Sequence, residues 1–144
     1  MAWTISLTRE GPYKWANRQR LWLFKYDCTS DAGASGDRSL VDDINTAYGT
    51  AKGQPIIKYL KGAMVQGVVY VPDATLVPTT AAVITLDQED GANFFTETVT
   101  TVGTAQVFSG AVDSGFAVPF TDLIFASTTL ANNKKAVIKI WAIR

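Results

Sequence analysis

The sequence predicts a mainly β fold, a β-sandwich or β-barrel-like domain with one short helix in the N-terminal third. Short segments rich in Val, Ile, Phe and Thr recur from Met64 onward and are separated by Gly, Pro and Asn, the pattern of sandwiches and barrels. Only one segment clearly places apolar residues at helical spacing. With 144 residues, 47% of them hydrophobic and 18% charged, the chain is expected to form a single domain, residues 1–144.

Two strands are predicted in the first thirty residues. Apolar and polar residues alternate over residues 3–8, and Gly11 and Pro12 are expected to end that strand. The second strand is predicted at residues 21–28, where both faces carry apolar side chains. We expect this strand to be covered on both sides, by a second sheet or by a neighbouring subunit.

The helix is predicted at residues 39–48. Ser39 is suited to cap its N-terminus, with Asp42 three positions further on. Apolar residues then follow at intervals of four, which places them on one face: Leu40, Ile44 and Tyr48.

The remaining strands are predicted at residues 65–71, 82–86, 93–102, 105–108, 116–120, 123–126 and 136–143. Asp90 and Gly91 separate two of them and are typical of a hairpin turn. In the last strand, Ile138, Ile140 and Ala142 form a wholly aliphatic face. Lys139 lies on the other face and is expected to reach the rim of the sheet.

The charges are segregated along a chain whose net charge is zero. Residues 1–61 are basic and aromatic-rich, with nine basic and six acidic residues. Residues 62–133 contain seven acidic residues and no lysine or arginine, and the last eleven contain four basic residues. We expect an acidic β-rich body (residues 62–144) whose basic groups lie in the N-terminal subregion and on the last strand. Segregated charge favours complementary protein partners.

The composition argues against an enzyme. Histidine is absent, which removes the usual general base and the usual metal ligand. Cys28 is the only cysteine, so no intrachain disulfide is possible. No segment has the length of a membrane helix. We expect no catalytic residues, no cofactor and no membrane association.

One acidic segment is a candidate metal site, formed by Asp87, Glu89 and Asp90. A calcium-binding EF-hand loop needs ligands at alternate positions, a glycine at position six and a glutamate at position twelve. The acids here fall at positions one, three and four, and no acid stands at position twelve. A hairpin turn is therefore the preferred interpretation, with no metal.

Aromatic and basic residues interleave in the N-terminal quarter. This pattern is typical of protein interfaces, where Trp, Tyr and Arg contribute most of the binding energy. A nucleic-acid partner is not expected, because the chain has no basic surplus. The candidate interface residues are Trp3, Arg9, Tyr13, Trp15, Arg18 and Arg20.

The C-terminal half, about residues 70–144, resembles small structural proteins of tailed-bacteriophage virions. The resemblance rests on Tyr70-Val-Pro-Asp73, on Pro78-Thr-Thr-Ala, on residues 82–91 (AVITLDQEDG) and on the closing KAVIKIW of residues 135–141. It implies a capsid decoration or auxiliary protein, assembled in the host cytoplasm and located in the virion.

Such a protein would form a homo-oligomer, with a trimer favoured, and would bind the major capsid protein or other virion subunits. Two alternatives stay open: a ring component of the neck or tail, and a carbohydrate-binding β-sandwich module. The carbohydrate-binding alternative requires exposed aromatic residues in one groove near Asp and Asn, for which Trp3 and Trp141 are the candidates.

Overall fold

A computed structural model describes residues 3–14, 20–48, 63–87, 93–108, 116–117 and 124–144. These residues form two antiparallel sheets and one short helix, which confirms the predicted fold class. In chain order the elements are β1 (Thr4–Lys14), β2 (Arg20–Ser30), β3 (Arg38–Ser39), α1 (Leu40–Tyr48), β4 (Met64–Pro72), β5 (Ala82–Asp87), β6 (Asn93–Val99), β7 (Gln106–Val107), β8 (Phe116–Ala117), β9 (Ile124–Ser127) and β10 (Lys134–Ile143).

Strands from both ends of the chain form the centre of the first sheet. Sheet A has the order β1-β2-β10-β4-β7, with β8 also paired to β4, and sheet B has the order β3-β9-β5-β6. Strand β2 pairs with β10 from Ser30 opposite Lys134 to Leu21 opposite Ile143. The two basic ends of the sequence therefore lie side by side in one sheet.

The core lies between the two sheets. Alternate residues of β2 and β10 are buried on one face, as expected for a sheet with one side against a core. Tyr26 of β2 stacks on Phe125 of β9, with ring centroids 4.6 Å apart. This contact joins the sheets directly, and an aromatic pair of this kind contributes about 0.5–1.5 kcal/mol beyond its buried area.

Strand β1 is longer than predicted. The expectation that Gly11 and Pro12 end it is wrong, because the strand continues to Lys14 across a register shift between Glu10 and Tyr13. Among the described residues β1 pairs with β2 alone and so lies at a sheet edge. An edge strand tolerates proline at a bulge, since no second neighbour needs its missing N–H group.

The strands of the acidic segment are shorter than predicted at several ends. Strand β6 ends at Val99, and residues 101–104 form a turn in which the Thr104 N–H donates to the Thr101 carbonyl oxygen. The proposed turn at Asp90 and Gly91 lies outside the described residues. Strands β5 and β6, on either side of it, pair antiparallel.

Helix α1 begins as the sequence predicts. The Asp42 N–H donates to Ser39 Oγ at 3.2 Å, and Leu40 and Ile44 are each 1% exposed. A nine-residue helix has little stability by itself, so its formation depends on tertiary contacts. The burial of its apolar face supplies part of them.

A polar node, formed by Tyr26, Arg38 and Asp43, connects α1 to both sheets. Asp43 accepts a 2.8 Å hydrogen bond from the Tyr26 hydroxyl of sheet A and forms a 2.7 Å ion pair with Arg38 of sheet B. Burial raises the pKa of Tyr26, and the Asp43 carboxylate raises it further. The phenol therefore stays a neutral donor, as this hydrogen bond requires.

A second polar contact follows β4, where the side chain of Asp73 stabilises a turn by accepting backbone N–H groups. Asp73 Oδ1 accepts the N–H groups of Thr75 and Leu76 at 2.8 and 2.7 Å. Its own N–H donates to the Lys135 carbonyl oxygen, which attaches the turn to β10. The two backbone donors and the charge of Lys135 lower the pKa of Asp73.

Removal of the Asp43 carboxylate is expected to destabilise the fold. Asp43→Ala leaves the Tyr26 hydroxyl and the Arg38 guanidinium without their partner, at a cost of about 2–3 kcal/mol. Tyr26→Phe keeps the stacking and should cost about 1.5–3 kcal/mol. The double variant should lose less than the sum, because both changes remove one hydrogen bond. Urea unfolding measures these values.

Asp42→Ala is the matched control, since Asp42 is the neighbouring exposed carboxylate of α1. Its loss near the helix N-terminus should cost less than about 1 kcal/mol. Equal destabilisation by Asp42→Ala and Asp43→Ala would contradict the role of the node.

The charge of Asp73 should make stability depend on pH. A carboxyl whose pKa is lower in the folded chain stabilises it above the unfolded value of about 3.9, and this contribution is lost as pH falls towards the folded pKa. Asp73→Asn keeps an oxygen acceptor but has no charge. The wild type should exceed this variant in unfolding free energy near neutral pH, and the difference should disappear in acid. A pH series of urea unfolding curves measures it; a constant difference would refute this role for the charge.

Candidate interaction surfaces

The face of sheet A that points away from sheet B carries a cluster of large apolar side chains. In the strand register Tyr13, Leu21 and Ile143 lie in one row, and Leu23 lies beside Trp141 in the next. Residues directly opposite each other on paired strands share a face, so these five lie together. We call this cluster the apolar patch: Tyr13, Leu21, Leu23, Trp141 and Ile143.

The exposure of the apolar patch is graded. Tyr13 is 47% exposed, Leu21, Trp141 and Ile143 are partly exposed, and Leu23 is 3% exposed. Leu23 is also absent from the core cluster between the sheets. Leu23 is therefore covered within the chain, and the apolar surface open to a partner consists of Tyr13 with parts of Leu21, Trp141 and Ile143. The outward face of an antiparallel sheet in a monomer is normally polar, whereas contiguous apolar surface marks an interaction site. Strand β2 is thus apolar on both faces for different reasons. One face packs into the core between the sheets, and the other contributes Leu21 and Leu23 to the apolar patch.

Charged residues border the apolar patch. Lys25 forms a 2.6 Å ion pair with Glu10, whose second oxygen accepts a 3.4 Å hydrogen bond from the Tyr13 hydroxyl. The hydrogen bond to Lys25 lowers the pKa of Glu10, and that to Glu10 raises the pKa of Lys25. Lys139, opposite Lys25 on β10, makes no ion pair with a described residue. Its charge also lowers the pKa of Glu10.

The two sheets differ in charge. The described strands of sheet A contain seven basic and two acidic residues, a net charge of +5, whereas those of sheet B contain one basic and two acidic residues, a net charge of −1. The strand register places only part of this charge on the outer face of sheet A, namely three basic and two acidic residues, a net charge of +1. The sheet A residues are Arg9, Lys14, Arg20, Lys25, Lys134, Lys135, Lys139, Glu10 and Asp27; those of sheet B are Arg38, Asp87 and Glu97.

The structure does not bring the predicted interface residues together on one surface. Tyr13 belongs to the apolar patch, and Arg20 is exposed at the start of β2, where its backbone pairs with Arg144. Arg9 lies in β1 opposite Phe24. Two of the predicted residues, Trp15 and Arg18, lie outside the described residues. The prediction of an interface itself stays untested.

Trp3 is an internal residue rather than an exposed anchor. It is 8% exposed, and its indole N–H donates to the Gly33 carbonyl oxygen at 2.8 Å. It lines a surface cavity of about 490 Å³ together with Asp31 and Asn132. Aromatic, Asp and Asn residues are suited to carbohydrate, but a sugar ring stacks on an open aromatic face, and this indole is covered. Trp141, the other candidate, lies in the apolar patch beside Leu23.

Of the candidate metal ligands, the described one is Asp87, at the end of β5. Asp87 Oδ1 is buried without a hydrogen-bond partner among the described residues. Burial raises the pKa of this carboxyl, and the nearby charge of Asp37 raises it further. Glu89 and Asp90 lie outside the described residues, within which no group of three potential ligands is found. The observed feature is thus a pair of repelling acids.

Sequence reasoning did not select Leu21, Leu23 and Ile143 as site residues, and it selected Trp141 only for the carbohydrate-binding alternative. A signal was present, because the second face of β2 and the alternating Trp141 and Ile143 are apolar where a solvent-facing strand would be polar. The alternation does not say which of two apolar faces points outward. Only the position of sheet B decides that.

Cys28 is expected to be unreactive in the folded protein. It is 2% exposed, and burial raises the pKa of its thiol to about 12. Because the thiolate is the reactive form, modification by an aromatic disulfide reagent at neutral pH should be at least about 100-fold slower than in denaturant. The absorbance of the released thiol measures both rates. Rapid stoichiometric reaction of the native chain would disagree with this burial.

In the part of the chain that the structure describes, no helix has both the length and the apolar character needed to cross a membrane. Comparisons with protein-family models, with curated proteins and with solved structures find no match to this chain. Function is therefore inferred from the residues of this chain.

Proposed function

We propose that this chain is a non-enzymatic structural protein of a tailed-bacteriophage virion, of the capsid decoration type. It would stabilise the head shell by burying surface between subunits of the major capsid protein or other virion proteins. The observation that supports this proposal is the apolar patch on the outer face of sheet A, bordered by cationic side chains. In the proposed assembly a neighbouring subunit covers this patch.

The chemistry of the patch suits a protein partner. Large aromatic and aliphatic side chains at the centre of an interface supply binding energy when water is excluded. Tyr13 and Trp141 are of the residue types that contribute most. Lys139 at the border would orient an acidic partner and speed its association. A binding surface of this kind needs no catalytic group, in agreement with a sequence that lacks histidine.

The edges of sheet B support an assembled state as well. Strand β6, at one edge of the described sheet, has the sequence NFFTETV, with Glu97 as its one charged residue and with no lysine and no proline. Monomeric proteins protect such edges with charged residues, above all lysine, or with proline. A protein that functions in an assembly can bury this edge instead.

Truncation of the patch should weaken binding to the shell. Shells assembled without the chain are mixed with purified protein, and bound protein is measured by cosedimentation. Trp141→Ala should reduce affinity by at least about tenfold, the usual effect of losing an aromatic anchor. Thr98→Ala, an exposed residue on β6 of sheet B, is the control and should bind as the wild type does. Thermal unfolding checks that both variants are folded.

Two results would contradict the proposal: a wild-type chain that binds no virion shell, or a Trp141→Ala variant that binds with unchanged affinity. Electron cryomicroscopy of virions separates the decoration role from the neck or tail alternative. Decoration predicts many copies over the shell, whereas a ring component predicts density at a single vertex.

A further inference from the structure

The outer face of sheet A has a pocket at the end away from the apolar patch. It encloses about 460 Å³, within the range of about 300–1,000 Å³ that is usual for small-ligand sites. No residue of the apolar patch lines it, so the pocket is separate from the surface assigned to the shell. Its described lining includes charges of both signs, a hydroxyl group and two valines: Asp27, Asp73, Lys135, Thr29, Val71 and Val137.

We infer that this pocket binds an aliphatic α-amino acid in its zwitterionic form, a role beyond the proposed function. The ammonium group of the ligand binds the Asp27 carboxylate. The carboxylate of the ligand binds the Lys135 ammonium group and the Thr29 hydroxyl. The aliphatic side chain of the ligand packs on Val71 and Val137.

The charges that would bind the ligand are not used within the described chain. Asp27 and Lys135 are exposed, and neither forms an ion pair or a side-chain hydrogen bond with a described residue. Lys25, two positions before Asp27 on the same face, is bound to Glu10. The pocket therefore presents one carboxylate and one ammonium group to a ligand that carries the opposite charges.

The spacing of these two charges suits an α-amino acid. Asp27 lies opposite Val137 and Lys135 lies opposite Thr29, so Asp27 and Lys135 are diagonal neighbours on paired strands. Diagonal neighbours have their Cα atoms about 7–8 Å apart. An ammonium and a carboxylate group on one carbon, each at a charge-assisted hydrogen-bond distance of about 2.8 Å, span a gap of this size.

The strand framework holds the pocket in place before a ligand arrives. Val137 of β10 lies opposite Val71 of β4, and β2, β10 and β4 are each paired on both sides. The Asp73 turn forms one wall, because the Asp73 N–H donates to the Lys135 carbonyl oxygen and its Oδ1 accepts two backbone N–H groups. A preformed site of this kind loses little conformational entropy on binding.

A set of three related ligands tests the inference. Binding to the isotope-labelled full chain is measured by NMR chemical-shift titration with L-leucine, with isocaproate, which lacks the ammonium group, and with isopentylamine, which lacks the carboxylate. L-leucine should bind with a Kd of about 1 mM, because both charges remain partly in water. Each analogue should bind at least about tenfold more weakly, since it lacks one charge-assisted hydrogen bond.

Substitutions assign each charge to its partner. Asp27→Asn should weaken L-leucine binding by about tenfold and leave isocaproate binding unchanged, because isocaproate has no ammonium group. Lys135→Met should weaken L-leucine binding similarly and leave isopentylamine binding unchanged. Asp42→Asn and Lys14→Met remove the same groups from exposed residues outside the pocket and should bind L-leucine as the wild type does. Thermal unfolding checks that each variant is folded.

Three results would overturn the inference. The first is the absence of saturable shifts with millimolar L-leucine. The second is isopentylamine or isocaproate binding as tightly as L-leucine, which describes a site for a single charge. The third is a set of shifts that does not include the backbone amides of Val71 and Val137. An Asp27→Asn variant that weakens isocaproate as much as L-leucine would also contradict the assigned contact.

Discussion

The stacking of Tyr26 on Phe125 is the contact on which the rest of the structure depends. Tyr26 belongs to the central strand pair of sheet A and Phe125 to sheet B, so their 4.6 Å contact sets how the sheets face each other. The hydroxyl of the same tyrosine binds Asp43, and Asp43 binds Arg38. One side chain thereby joins two sheets and a helix too short to be stable alone. With the inner face occupied in this way, the other face of β2 and β10 lies on the side away from sheet B.

The outward face of sheet A is the observation that supports the proposed role in an assembly. A solitary sandwich would carry polar residues there, yet β2 and β10 place Leu23, Trp141 and Ile143 on this side. By the strand register the same face holds three of the seven basic residues of the sheet, Lys25, Lys135 and Lys139, together with the acids Glu10 and Asp27. Apolar surface supplies affinity, and segregated charge supplies orientation. Together they support the proposed role in protein–protein contact.

Much of the fold could be predicted from local patterns. The alternation in β2 and β10, the Ser39 cap with its stripe of Leu40 and Ile44, and the Gly, Pro and Asn separators all act over a few residues, which is why they can be read from sequence. The end of β1 could not be predicted, because an edge position makes Pro12 tolerable and edges are a property of the whole sheet. The burial of Trp3 depends on Gly33, thirty residues away.

The sequence by itself determined the mainly β class, the single short helix, the absence of the histidine chemistry that most hydrolases use, and the separation of basic from acidic segments. These follow from composition and from spacing over short distances. The tertiary structure alone decided that the two basic ends pair as β2 and β10, which apolar face of β2 became core, and that Tyr13 joins Trp141 in one patch. Each of these is a contact between residues far apart in the chain, and no local periodicity encodes which distant strand becomes a neighbour.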